Sequence, residues 1–221
     1  MTISCTARKQ PGACFFCEDD YRYFLDRLRE GRRRFAVALH ACVLMTNHVH
    51  LLMTPRDGAG ISRLMQHLGR HYVLYINRQY RRTGTLWEGR HKASLVQADE
   101  YLLTCMRYIE LNPVAAGMVE SPEQYRWSSY RSHAWGQTDD LLSEHELYGR
   151  LGGTLAERHH AYRELFRSQL SEIDIHDIRT CLVYNYPLGN DRFREQVETM
   201  LGKRVGQRQR GRPPKHVDAP K

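Results

Sequence analysis

AVALHACVLM-TN-HVHLLMT, residues 36–54, decides the fold. Two apolar, partly β-branched runs, 36–45 and 48–54, flank the polar pair Thr46-Asn47. So short a break reads as a β-hairpin. Pro55 and Asp57-Gly58-Ala59-Gly60 end its second strand. Helical patterns lie on both sides. From Glu18 to about Phe35, the residues Tyr21, Phe24, Leu25 and Leu28 recur at helical spacing. Asp19 and Asp20 open that segment and Arg32, Arg33 and Arg34 close it, the charge order a helix dipole favours. Ile61 to about Arg81 reads as a long helix with Leu64, Met65, Leu68, Tyr72, Tyr75 and Ile76 on one side. Arg63, His67, Arg70, His71 and Arg78 fall on its other side.

Residues 85–97 read as a third strand pair or one long bent strand, with Gly89 as a bulge. Asp99 then caps a helix through about Leu111, which Pro113 stops or kinks. Strands mixed with helices make an α+β chain. The polar stretch Gly136-Gln137-Thr138-Asp139-Asp140 suggests three units. These are residues 1–136, a helical region over 137–202, and a basic, disordered tail over 203–221.

Apolar residues make up 41% of the 221, enough for a packed core. Lys and Arg total 33 against 25 acidic residues, a net charge of +8 that calls for a polyanionic partner. Nucleic acid and an anionic membrane both qualify. No apolar run reaches the roughly 18 residues of a membrane span. The first nine residues also hold no apolar signal core, so the expected setting is the cytoplasm, with no membrane partner. Six cysteines are too sparse for a disulfide scaffold, and the Cys14–Cys17 pair lacks a second metal-binding pair.

Chemistry concentrates in two places. In His48-Val49-His50, strand alternation points both imidazoles the same way, where they can hold one divalent cation. Two polar residues on an exposed strand would look the same. Tyr108 and Asn112 are four apart, on one helical side. The Asn112 amide oxygen suits a hard cation such as magnesium or manganese. The competing reading packs the Tyr108 ring in the core with its hydroxyl capped.

TNHVHLLMTP (46–55) followed by MRYIELNPVAAGMV (106–119) resembles the HUH single-tyrosine transposases, especially the REP-associated tyrosine transposases. WEGRHKASLV (87–96), WSSY (127–130) and RGRPPK (210–215) extend the likeness, which is best over residues 12–135. The resemblance implies a ferredoxin-like sandwich around a central antiparallel sheet. It implies that His48, His50 and Asn112 bind Mg2+ or Mn2+. It also implies that Tyr108 attacks single-stranded DNA, at hairpins or repeats, to form a 5′-phosphotyrosine link. Members act as monomers or homodimers. In one respect the chain departs from the family. Members open with a strand, and residues 1–11 do not read as that strand.

DNA contacts are expected from Arg63, Arg70 and Arg78 along a backbone, and from Arg90 and Lys92 beside the site. Trp87 is expected to stack on a base. Arg210 and Arg212 resemble an AT-hook core entering a minor groove. Two other functions compete with the nickase. One is a catalytically silent hairpin-binding protein, suggested by the altered N-terminus and the basic tail. The other is a phosphoesterase that uses water and leaves Tyr108 dispensable.

Overall fold

The hairpin forms where the sequence places it. Strands β2 (Val37–Leu44) and β3 (His48–Pro55) pair antiparallel, with Leu44 opposite Val49. The computed structural model describes residues 2–8, 12–87, 89 and 91–205, with the backbone alone over 2–8. Around the hairpin, β1 (Thr2–Arg8) and β4 (Lys92–Val96) complete a four-stranded sheet in the order β2-β3-β1-β4. All three pairings are antiparallel. Helix α1 (Glu18–Arg34) links β1 to β2, and α2 (Gly60–Gln79) links β3 to β4. That order and those crossovers are the ferredoxin-like arrangement, an α+β fold.

Two expectations need correction. The opening strand is present, with Thr6 opposite His50 and Arg8 opposite His48. Its signal was the alternation of Ile3, Cys5 and Ala7 with Thr2, Ser4, Thr6 and Arg8, the period-two pattern of a strand. Among the described residues of 85–97, only Lys92–Val96 forms a strand, and it pairs with β1. Upstream, Gly84 and Gly89 take φ values of +83° and +89°, which breaks extended backbone there.

The sheet buries both faces. On one, Leu39, Leu44, Val49, Leu51 and Met53 pack with Phe24 and Leu28 of α1 and Leu64, Leu68, Tyr72 and Ile76 of α2. His67, expected on the solvent side of α2, is buried here instead. Gly31 of α1 explains it. A Cβ there would lie 2.6 Å from Leu64 and 3.0 Å from His67, so only glycine lets the helices close on this ring.

The other face carries α3 (Ala98–Glu110), whose N-cap is Gln97, with Asp99 inside the first turn. Leu102, Met106 and Ile109 pack on Ala41, Val43, Leu52 and Val96. Next come α4 (Asn112–Ala115), α5 (Tyr130–Trp135), α6 (Glu146–Gly149), α7 (Leu155–Leu165), α8 (Glu172–Tyr184) and α9 (Asp191–Leu201). Tyr148 of α6, Tyr162 of α7 and Ile178 of α8 join the same core as α3. The polar stretch before α6 is docked rather than free. Asp140 accepts from Arg29 Nε at 2.6 Å and from an Arg33 Nη at 2.5 Å.

At the end of α3, Glu110 is fully buried. Ser129 Oγ donates to its carboxyl at 2.6 Å and Tyr162 Oη at 2.7 Å. His133 Nδ1 lies 2.7 Å away. One carboxyl thus ties α3 to α5, α7 and the turn before α5. Removing it strands the Tyr162 hydroxyl and His133 Nδ1, while Ser129 Oγ turns to the Cys42 carbonyl 3.2 Å away. Glu110→Ala should therefore cost about 3 kcal/mol or more, and Glu110→Gln less, by urea unfolding.

His40 sits at the register shift in β2. The Ser143 carbonyl can only accept, so Nδ1 donates to it at 2.9 Å, and Nε2 lies 2.9 Å from Thr54 Oγ1. Burial lowers its pKa from 6.5 to about 4, which keeps the ring neutral near pH 7. Between those values the unfolded chain binds a proton that the folded chain refuses. Stability therefore falls as pH drops from about 6.5 toward 4, by about 2 kcal/mol at pH 5 from this ring. His40→Gln should shrink the loss between pH 7 and pH 5 by that amount, measured by urea unfolding at both.

Candidate active site at the sheet and helix α3

His48 and His50 lie on consecutive same-face positions of β3, on the face that α3 covers. Their rings are perpendicular with centroids 4.8 Å apart. The Tyr108 ring of α3 meets His50 edge-on, with centroids 5.7 Å apart and planes at 81°. Phenol and imidazole pair, sixty residues apart in sequence, therefore share one site. Tyr108 is half-buried rather than sealed in the core.

The electrostatics suit metal binding. His50 is buried, and desolvation, followed by its closeness to His48, lowers its pKa to about 3. Its ring is neutral at ordinary pH, the form that ligates a cation. Asn47 Oδ1 accepts from His48 Nδ1 at 2.6 Å. That bond leaves Nε2 as the lone-pair nitrogen of His48. Asn47 was read only as hairpin turn, although an amide beside a histidine pair is a signal for a ring-orienting partner. Asn112 follows one turn after Tyr108 and its Nδ2 donates to the Tyr108 carbonyl at 2.8 Å. Its ligating atom would be Oδ1. Among the described residues no cluster of three or more His, Cys, Asp or Glu side chains could hold a metal. The donor set available is two imidazoles with an amide.

The expected DNA-contacting residues divide between the two sides of the molecule. Lys92 stands across the sheet in the row of His50, through Thr6, and its ammonium donates to the Val183 carbonyl at 3.3 Å. Arg63, Arg70 and Arg78 are exposed on α2, which covers the opposite face. Arg63 pairs with Asp57 at 2.5 Å. Trp87 leans on Tyr72 and Phe24, also on the α2 side. Arg90, Arg210 and Arg212 lie outside the described residues. Cys14 is buried, and Cys17 Sγ lies 3.4 Å from Tyr80 Oη. Among the described residues no helix is long and apolar enough to cross a membrane.

Comparison with known proteins gives the following. No curated protein matches the chain. Among solved structures, a REP-associated tyrosine transposase bound to a REP hairpin is 14% identical, with a TM-score of 0.49 over 64% of this chain and 87% of its own. A candidate transposase from Deinococcus radiodurans R1 is 18% identical, with a TM-score of 0.36 over 50% of this chain and 88% of its own. The family described as "Transposase IS200 like" matches residues 7–112, which hold the hairpin, both histidines, Tyr108 and Asn112. Residues 7–112 are thus similar to the IS200-like transposases, and the match covers just under half of the chain.

Proposed function

We propose that this transposase cuts and rejoins single-stranded DNA at hairpins or repeats, with Tyr108 as nucleophile and His48, His50 and Asn112 as ligands of Mg2+ or Mn2+. The observation that carries this reading is the contact of the Tyr108 ring with His50, beside His48. A neutral buried imidazole and a second imidazole held by Asn47 fit a divalent cation. When bound, the cation would polarise a non-bridging phosphate oxygen and offset developing negative charge.

The chain's own residues do the rest. The Tyr108 hydroxyl oxygen attacks the scissile phosphorus and gives its proton to water. The bond from phosphorus to the 3′-oxygen breaks, and that oxygen takes up a proton. The product is a 5′-phosphotyrosine and a free 3′-hydroxyl. Attack by a 3′-hydroxyl on the link reverses the step and joins strands without ATP. The reading of a silent hairpin-binding protein rests on an altered N-terminus and the basic tail, and β1 removes the first of those motives.

Tyr108→Phe should lose the covalent protein–DNA adduct while retaining DNA binding, seen as a gel shift without an adduct band. Normal strand cleavage by that variant would instead favour a water-using phosphoesterase. Asn47→Ala should lower metal affinity or adduct yield by about 10- to 100-fold, since it frees a ligand ring to turn. His50 and Tyr108 meet within one chain, which supports a site completed in cis. Mixing Tyr108→Phe with His50→Ala protein should therefore restore no adduct, and recovery on mixing would show a site shared between subunits.

A further inference from the structure

Tyr108 and Asn112 also form the inner wall of a second feature. A groove of about 390 Å³ opens beside them, between α3–α4 and the segment running from the end of α7 into α8. Its near wall continues along α4 to Ala115, and its far wall carries Phe166, Gln169 and Arg179. The far wall lies wholly outside residues 7–112, so this chain's C-terminal helices build it.

The groove is set rigidly. The Phe166 ring is braced from inside by Tyr130 at 4.8 Å and Tyr162 at 5.2 Å between centroids. Arg107, the neighbour of Tyr108, places its guanidinium 5.9 Å from the same ring. It also donates to the Ser168 carbonyl, which ties the α7–α8 connection back to α3. The lining is mostly apolar, with the amide of Gln169 and the exposed guanidinium of Arg179 at its edge.

We propose that this groove takes one nucleobase of the single strand, next to the phosphate presented to Tyr108. The assignment rests on the reading of Tyr108 as nucleophile. A strand whose phosphate lies at the phenol must send its next nucleotide past Tyr108, and the groove begins at that residue. A nucleobase is a flat apolar ring with a polar edge, joined to an anionic backbone. Phe166 and the α4 wall match the ring, Gln169 matches the edge and Arg179 matches the phosphate beyond. A base held there makes the C-terminal helices a determinant of cleavage-site choice.

The test uses full-length protein and random-sequence single-stranded oligonucleotides, selecting the bound fraction and sequencing it. Ala115→Trp fills the groove from an exposed position of α4, and Arg179→Ala removes the edge cation without touching the core. Wild type should enrich a base preference at one position. Ala115→Trp should erase it and weaken binding about tenfold, and Arg179→Ala should weaken binding while keeping the preference. The proposal is overturned if Ala115→Trp keeps the wild-type affinity and preference, or if wild type shows no preference at any position. Adduct formation by wild type is scored in the same samples. Absence of adduct with a groove-dependent preference would defeat the nucleophile reading alone. Adduct with no effect of Ala115→Trp would defeat the groove alone.

Discussion

The buried carboxyl of Glu110 is the constraint on which the site depends. Two residues along a helix turn the side-chain direction by about 200°, so Glu110 and Tyr108 leave α3 on different sides. Glu110 faces Ser129, His133 and Tyr162, while Tyr108 faces His50. Holding the first direction sets the second. A helix packed only by Leu102, Met106 and Ile109 would have an apolar stripe that tolerates small rotations. A carboxyl with three directional partners does not tolerate them, because each rotation breaks a buried hydrogen bond. The phenol's aim is therefore inherited from a group outside the proposed chemistry.

Much of this was legible in the sequence. The hairpin, α1, α2 and the shared face of His48 and His50 followed from period and turn signals. The Tyr–Asn spacing was read correctly as one helical side, but spacing alone could not tell an open phenol from a buried one. The first strand alternates over only seven residues with few strongly apolar side chains, so it reads as an irregular lead-in. The overlong strand at 85–97 came from apolar and β-prone residues whose backbone Gly89 interrupts at positive φ. Glu110 was not legible at all. A glutamate near the end of a helix reads as a solvated charge, and its partners lie 19, 23 and 52 residues further on. Asp140 was misleading for the same reason, since a polar stretch reads as a linker until the arginines of α1 are found against it.

Charge is arranged unevenly around this frame. At the histidine pair the protein withholds positive charge, because burial keeps His50 neutral. That is what a cation site requires, since a protonated imidazole would repel the metal and could not ligate it. The surplus of basic residues sits elsewhere. The exposed arginines of α2 lie behind the sheet from Tyr108, so a nucleotide at the phenol cannot touch them directly. A DNA that used both surfaces would have to pass around a sheet edge, and the sheet has two. β2 forms one, and β4 the other.

The β4 edge is closed by the C-terminal region. Asn185, at φ +58°, ends α8 and accepts from the Ala93 amide at 3.1 Å. Ser94 Oγ donates to the Cys181 carbonyl at 2.7 Å, and the Leu188 amide to the Leu95 carbonyl at 2.7 Å. An open β4 would offer unpaired backbone groups to another chain. Residues 181–188 remove that hazard and, in doing so, anchor α8 one strand away from β1 and two from the histidines. The same helix begins at the groove beside Tyr108. Edge protection and the groove wall are thus two ends of one element. A change that loosened α8 from β4 would also shift the wall that a nucleotide meets. The family-matched segment holds the proposed catalytic residues, and their surroundings are shaped by residues that the match does not reach.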